Sequence, residues 1–206
     1  MNAAWSFVQR PRGQKTRDSL AGEFFATSVI RDVADSIVRE GIQNALDAGK
    51  RNAEGRFEDP VRVQIGLHVG PNSLKADRHR LLFEGIWPHL RANGNGLDRS
   101  ETPNPTDDCP YLVFEDFNTT GLIGDVAADR VVEGIKNPFF HFFRAEGRSV
   151  KSGDERGRWG VGKGVFPRAS RVATIIGYTR RSDDDRTLVM GATTLRSHTV
   201  DRKSVV

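Results

Sequence analysis

From about Thr27 to Ala48 the apolar residues Ile30, Val33, Ala34, Ile37, Val38, Gly41, Ala45 and Ala48 recur at helical spacing. Arg31, Asp32, Asp35, Arg39 and Gln43 fall on the opposite side, Thr27 or Ser28 can cap the start, and Gly49 can end the helix. Within this helix, Glu40, Asn44 and Asp47 occupy one arc of roughly 60° at about 100° per residue. That arc borders the apolar stripe rather than opposing it. Burying such groups alone costs about 2–7 kcal/mol, or more for a charge, so they need partners. An amide oxygen can coordinate a hard cation such as Mg²⁺, and a nearby carboxylate can orient and deprotonate a water. A polar seam satisfied by backbone groups fits the helix, taken alone, equally well.

The rest of the chain supplies what this helix packs on. Val61 to Val69 alternates apolar and polar residues as a half-buried strand does, and Tyr111 to Glu115 reads as a short buried strand. Between them, residues 71–110 form a polar insertion with a short helix around Leu81 to Leu90 and a long loop by composition. Asp125 to Arg144 reads as a helix broken near Pro138, with Phe139, Phe140, Phe142 and Phe143 clustered on it. Two further strands, near Arg171 to Thr179 and Thr187 to Leu195, are joined by the turn signal SDDD. With 206 residues and 37% hydrophobic content there is material for one core. Alternating helices and strands around it indicate an α/β, two-layer sandwich over about 23–206. Residues 1–22 are polar and basic with Trp5, Phe7 and Val8 as anchor, an arm that is loosely packed or docked on a partner subunit.

Composition removes several classes. No apolar run approaches the roughly 18 residues of a membrane span, and no apolar signal core follows Met1, which points to a cytoplasmic protein. A single cysteine, Cys109, rules out an internal disulfide or a multi-cysteine zinc site. The five histidines have no paired-ligand spacing, and the net charge of +4 is mild.

Two more segments carry chemistry. Asp116-Phe-Asn118-Thr-Thr120-Gly121-Leu122 directly follows a strand, where an acid can accept a hydrogen bond from an exocyclic amine such as adenine's. A turn with an Asx bend at Asn118 explains this segment in isolation. Gly157-Arg-Trp-Gly160-Val161-Gly162-Lys163-Gly164 lets amide groups converge on an anion, with a following helix adding its dipole and Lys163 a point charge. It is no P-loop, because Gly164 stands where the Mg²⁺-holding hydroxyl belongs and no strand precedes it. A glycine-rich surface turn is the bland alternative.

In order and spacing, the ExxxNxxDA helix, the strand ending in Asp with a downstream Gly, and GxxGxGK before another helix resemble the ATP-binding domain of the GHKL superfamily. Its members include gyrase, the ninety-kilodalton heat-shock chaperone, histidine kinases, MutL and the microrchidia ATPases. The resemblance spans about Ile30 to Leu195. It implies the Bergerat fold, a mixed sheet covered on one face by helices. It also implies ATP and Mg²⁺ as ligands, Glu40 as catalytic base and Asn44 as metal ligand. Asp47 then lies beside the nucleotide, and Asp116 reads adenine with Asn118, Thr120, Gly121 and Leu122 around it. Gly157, Gly160, Val161, Gly162, Lys163 and Gly164 then close on the phosphates, at the end of a mobile lid over about 118–158. The family pattern is DxGxG; here Asn118 replaces its first glycine and Gly121 comes one position late. DFNTTGL resembles a variant found in prokaryotic genome-defence GHKL proteins. These are longer, so the chain is expected to be the N-terminal part of a larger protein. Gly191-Ala-Thr193-Thr194 is the substitute for the family's Gly-Thr strand.

Three functions follow as expectations. The first is a slow, Mg²⁺-dependent ATPase switch that dimerises through its arm when ATP closes the lid, in a defence or DNA-transaction protein. The second is a histidine-kinase-like catalytic domain, against which Glu40 and the absence of a phosphoacceptor helix argue. The third is a nucleic-acid-binding module without hydrolysis, using Arg144, Arg148, Lys151, Arg156, Arg158, Arg168, Arg171, Arg180 and Arg181.

Overall fold

The long helix, α1 (Val33–Asp47), lies against the strand that carries Asp116, and Gly41 sets how closely. A methyl group at Gly41 would overlap the Phe114 ring. Glycine in a helix interior costs about 1 kcal/mol against alanine, and here it allows the aromatic ring to seat directly on the helix backbone. The computed structural model describes residues 4–9, 11, 13, 33–130, 132–144, 164–201 and 203–205, the last three by backbone alone. The expected helix start from Thr27 to Asp32 therefore lies outside the described residues, as do 145–163 of the lid and loop.

After α1 come β1 (Arg62–His68), a 3-10 turn (Gly70–Asn72), α2 (Ala76–Phe83), α3 (Trp87–Leu90) and β2 (Tyr111–Phe117). Then follow α4 (Pro138–Phe143), α5 (Val165–Ala169), β3 (Thr174–Arg180), β4 (Thr187–Thr193), β5 (His198–Val200) and β6 (Lys203–Val205). The architecture is mixed α and β. Among the described residues the strands form three antiparallel pairs, β1 with β2, β3 with β4 and β5 with β6. Register runs from Arg62 opposite Phe117 to His68 opposite Tyr111 in the first pair, and from Thr174 opposite Thr193 to Arg180 opposite Thr187 in the second. No described helix is long and apolar enough to cross a membrane.

Three sequence expectations are corrected. Residues 125–130 and 132–137 are turns and irregular chain rather than helix: Gly124 and Gly134 take φ of +109° and +78°, and Asn137 ties the ends by donating to the Asp125 carbonyl at 2.8 Å. Asn137 also accepts from the Phe140 amide, so Asn137-Pro138 is the start of α4 and not a break within a longer helix. The 71–110 insertion carries two helices in place of the one short helix expected around Leu81 to Leu90, and it supplies part of the core. Ile86 and Leu90 are fully buried and pack with Val172, against Trp5, Phe7, Phe83, Trp87, Leu97 and Leu195. The described part of the arm docks on its own chain: the Trp5 indole donates to the Leu82 carbonyl at 2.8 Å, and Phe7 stacks on His89 at 3.4 Å between centroids.

Candidate functional site

Helix α1 gathers the described pieces of the motifs along its length. Ile37, one turn before Glu40, is buried against Val165, with Val33 and Phe166 completing the contact. Val165 opens α5, whose N-cap is Gly164. The end of the glycine segment is thus held beside the Glu40 turn. Gly157, Gly160, Val161, Gly162 and Lys163 lie outside the described residues. The helix that follows them has only five residues, so the dipole expected there contributes little. Glu40 and Asn44 are half-buried, in keeping with an arc at the edge of the apolar stripe. Asp47 is exposed and accepts from the Gln43 amide at 2.8 Å.

At its other end α1 is stitched to the loop after β2. The Thr120 amide donates to the Ala48 carbonyl at 2.8 Å, the Lys50 amide donates to the Asn118 carbonyl at 3.1 Å, and Gly49 bridges Thr119. Side chains two apart on a strand share a face, so Asp116 projects to the side on which Phe114 meets α1. The Thr119 hydroxyl donates to Asp116 Oδ1 at 2.6 Å, while Oδ2 has no hydrogen-bond partner among the described residues. One carboxylate oxygen is anchored and the other can accept from a ligand.

The departures from DxGxG have a conformational account. Asn118 takes φ of +64°, the left-handed conformation a glycine would supply and one that asparagine tolerates better than most residues. Its side-chain amide donates to the Pro60 carbonyl at 2.8 Å. Gly121 takes φ of +68°, and a methyl group there would overlap the Arg180 carbonyl. The late glycine stands where the loop crosses the end of β3, and only glycine fits.

That crossing involves residues which sequence reasoning missed. The Leu122 amide donates to the buried Thr179 hydroxyl at 2.8 Å, and the Ser182 amide donates to the Thr120 carbonyl at 2.9 Å. Arg181, only 5% exposed, reaches the same loop. The signal in the sequence was an arginine directly before the acidic turn SDDD. Thr193, the proposed support for the adenine pocket, is elsewhere. Its hydroxyl sits 3.0 Å from that of Thr174 at the opposite end of β3, six residues or about 20 Å from the Arg180 end.

Among the described residues no three His, Cys, Asp or Glu side chains cluster to hold a metal. An amide oxygen such as that of Asn44 can be one ligand of Mg²⁺, which often takes its remaining ligands from phosphate and water. A cavity of about 110 Å³ between Asp125, Arg130, Asn137 and Phe140 is too small for a nucleotide, since ligand pockets run about 300–1,000 Å³.

The described arginines offered for nucleic acid have partners within the chain. Arg181 is buried, Arg180 pairs with Asp185 at 2.9 Å, Arg171 lies 3.8 Å from Glu101, and Arg144 donates to the Ala128 carbonyl at 2.8 Å. Arg148, Lys151, Arg156 and Arg158 lie outside the described residues. Comparison with protein-family models, with curated proteins and with solved structures gives no match.

Proposed function

We propose that the chain is a GHKL-type module with a Bergerat fold, which binds ATP and hydrolyses it slowly with Mg²⁺. The observation that carries this reading is the seam between α1 and the loop after β2. It brings the helix bearing Glu40 and Asn44 next to the end of the strand bearing Asp116 and the loop that follows, with Asn118 in a glycine's conformation.

In this reading the free oxygen of Asp116 accepts from the exocyclic amine of adenine, which guanine, with a carbonyl there, cannot satisfy. Asn44 would hold Mg²⁺, which supplies charge neutralisation on the phosphate oxygens when bound. Glu40 orients a water and accepts its proton as the oxygen attacks the terminal phosphorus. The bond to the bridging oxygen breaks, leaving ADP and phosphate. Lys163 and the amides from Gly157 to Gly164 would stabilise the charge that develops on the departing oxygens. ATP-driven dimerisation, a cytoplasmic role in defence or DNA transactions, and a larger parent protein belong to the same proposal. Since Trp5 and Phe7 pack on their own chain, a dimer formed through the arm uses its other residues or releases these two.

Calorimetry with ATP, ADP and GTP, with and without Mg²⁺, tests the reading. Saturable, metal-strengthened ATP binding and no GTP binding are expected; absence of ATP binding by the wild-type chain overturns it. Glu40→Ala should keep ATP affinity within about twofold and lower turnover about 10²-fold or more. Full turnover in that variant removes Glu40 from the mechanism.

A further inference from the structure

The loop that follows Asp116 has few buried side chains of its own to hold it. Residues 118, 121 and 124 all take positive φ, and the side chains from Thr120 to Ile123 are only half-buried. Its conformation must therefore be set by what its backbone polar groups meet. On the α1 side those partners are backbone groups. On the other side Thr179 and Ser182 meet the loop at Leu122 and Thr120, and the partners beyond them centre on one side chain. Arg181 donates through Nη2 to the Gly124 carbonyl at 2.8 Å and through Nη1 toward the Leu122 carbonyl at 3.4 Å. The same guanidinium is paired with Asp183 at 2.9 Å and, through Nε, with Asp184 at 2.8 Å. Asp183 Oδ2 in turn accepts from the Gly124 amide at 2.8 Å. Gly124 is thus gripped at both its N–H and its C=O by one ion pair.

We infer that Arg181 and Asp183 form a clamp that positions the nucleotide loop, with Arg181 a positioning residue for adenine recognition by Asp116. This rests on the nucleotide-site reading given above. Three features separate the clamp from an ordinary surface ion pair. Arg181 is almost fully buried, so its donors cannot turn to water instead. Its acceptors lie in three directions, which a planar guanidinium with five N–H groups can serve and a lysine ammonium cannot. Its targets belong to the segment 120–124, which runs without interruption back to Asn118 and Asp116. If the clamp opens, the Leu122 and Gly124 carbonyls lose their side-chain partner, and on the β3 side the loop keeps the Thr179–Leu122 and Ser182–Thr120 bonds. Asp116, whose backbone pairs with Val63 in the β1–β2 ladder and whose carboxylate is anchored by Thr119 of this loop, then adjoins a segment with fewer fixed points on its β3 side.

The test uses the full chain and the substitutions Arg181→Met, Arg181→Lys and Asp183→Asn, with the neighbouring exposed Arg180→Met as control. Amide hydrogen exchange across 120–124 and titration with ATP are both measured. For Arg181→Met, exchange at Leu122 and Gly124 should quicken at least about tenfold while the β3–β4 ladder keeps its protection. ATP affinity should fall about tenfold, Arg181→Lys should recover only part of each effect, and Arg180→Met should change neither. Asp183→Asn should move both readouts in the same direction by less, and it carries the test if Arg181→Met does not fold. Unchanged exchange at 120–124 in folded variants overturns the clamp, whatever the nucleotide result. Faster exchange with unchanged ATP affinity overturns its role in recognition, as does a wild-type chain that binds no ATP, which also defeats the function reading itself.

Discussion

Around Ile86, Leu90 and Val172 the chain buries side chains: two tryptophans, two phenylalanines and two leucines converge there from the arm, the insertion and the segment after β4. Between Asn118 and Gly124 it buries little and instead satisfies one backbone group after another, by Ala48, Lys50, Thr179, Arg181, Ser182 and Asp183. The apolar cluster is non-directional, so it fixes that these segments meet more firmly than it fixes the angles at which they do. The hydrogen-bonded loop is directional, so it fixes atoms. If the proposed nucleotide site is right, stability and recognition geometry are assigned to different parts of the molecule, and perturbing one should leave the other measurable.

Leu90→Ala gives the largest expected loss of stability. Leu90 is 1% exposed, and truncation of such a side chain costs about 2–5 kcal/mol. Denaturant unfolding should report that loss, while the fraction still folded should bind ATP with wild-type affinity. A matching loss of affinity would merge the two regions. Gly121→Ala reverses the pattern. Left-handed strain of about 1–2 kcal/mol adds to displacement of the Arg180 carbonyl, for about 2–4 kcal/mol in all. Here ATP affinity should fall together with stability, because the loop has to move off β3.

The smallest effect concerns pH. His198 Nδ1 faces the Arg196 carbonyl at 2.7 Å and must carry a proton, so its Nε2 accepts from His89 Nδ1 at 2.9 Å. Burial first, and the neighbouring His198 second, hold the pKa of His89 below its ordinary 6.5. A group with a depressed folded pKa that must charge in acid binds fewer protons when folded. Its contribution to stability is complete above 6.5 and is lost as pH falls from there through the lower folded value. The thermal midpoint should decline modestly over that window, with faster exchange near Phe7, and His89→Phe should flatten the decline. Protection of the loop at 120–124 should not respond.

How much of this was legible depended on how local each cause is. The helix from Val33, both strands of the first pair and the β3–β4 hairpin were readable because each carries its periodicity within a few residues. The core made by Ile86 and Leu90 was not, since its partners Trp5, Val172 and Leu195 are about 80 residues away or more and the surrounding sequence is polar. At the candidate site, Glu40, Asn44 and Asp116 were visible as a pattern. Thr179 and Arg181 were not, because their role exists only where the loop crosses β3. Asn118 read as a defect in a glycine motif, yet its φ of +64° shows the backbone requirement met by another residue type. The helix read from Asp125 gave too little weight to Gly134 and to Asn137-Pro138, which start a new helix instead of breaking an old one.

With no side chain at Gly41, the Phe114 ring locks α1 to β2 without an intervening layer. Asn44 is three residues past that contact on the helix, and Asp116 is two past it on the strand. The interval between them therefore works as a fixed gauge. A molecule bridging the two must already have the right length, because neither jaw can slide to meet it.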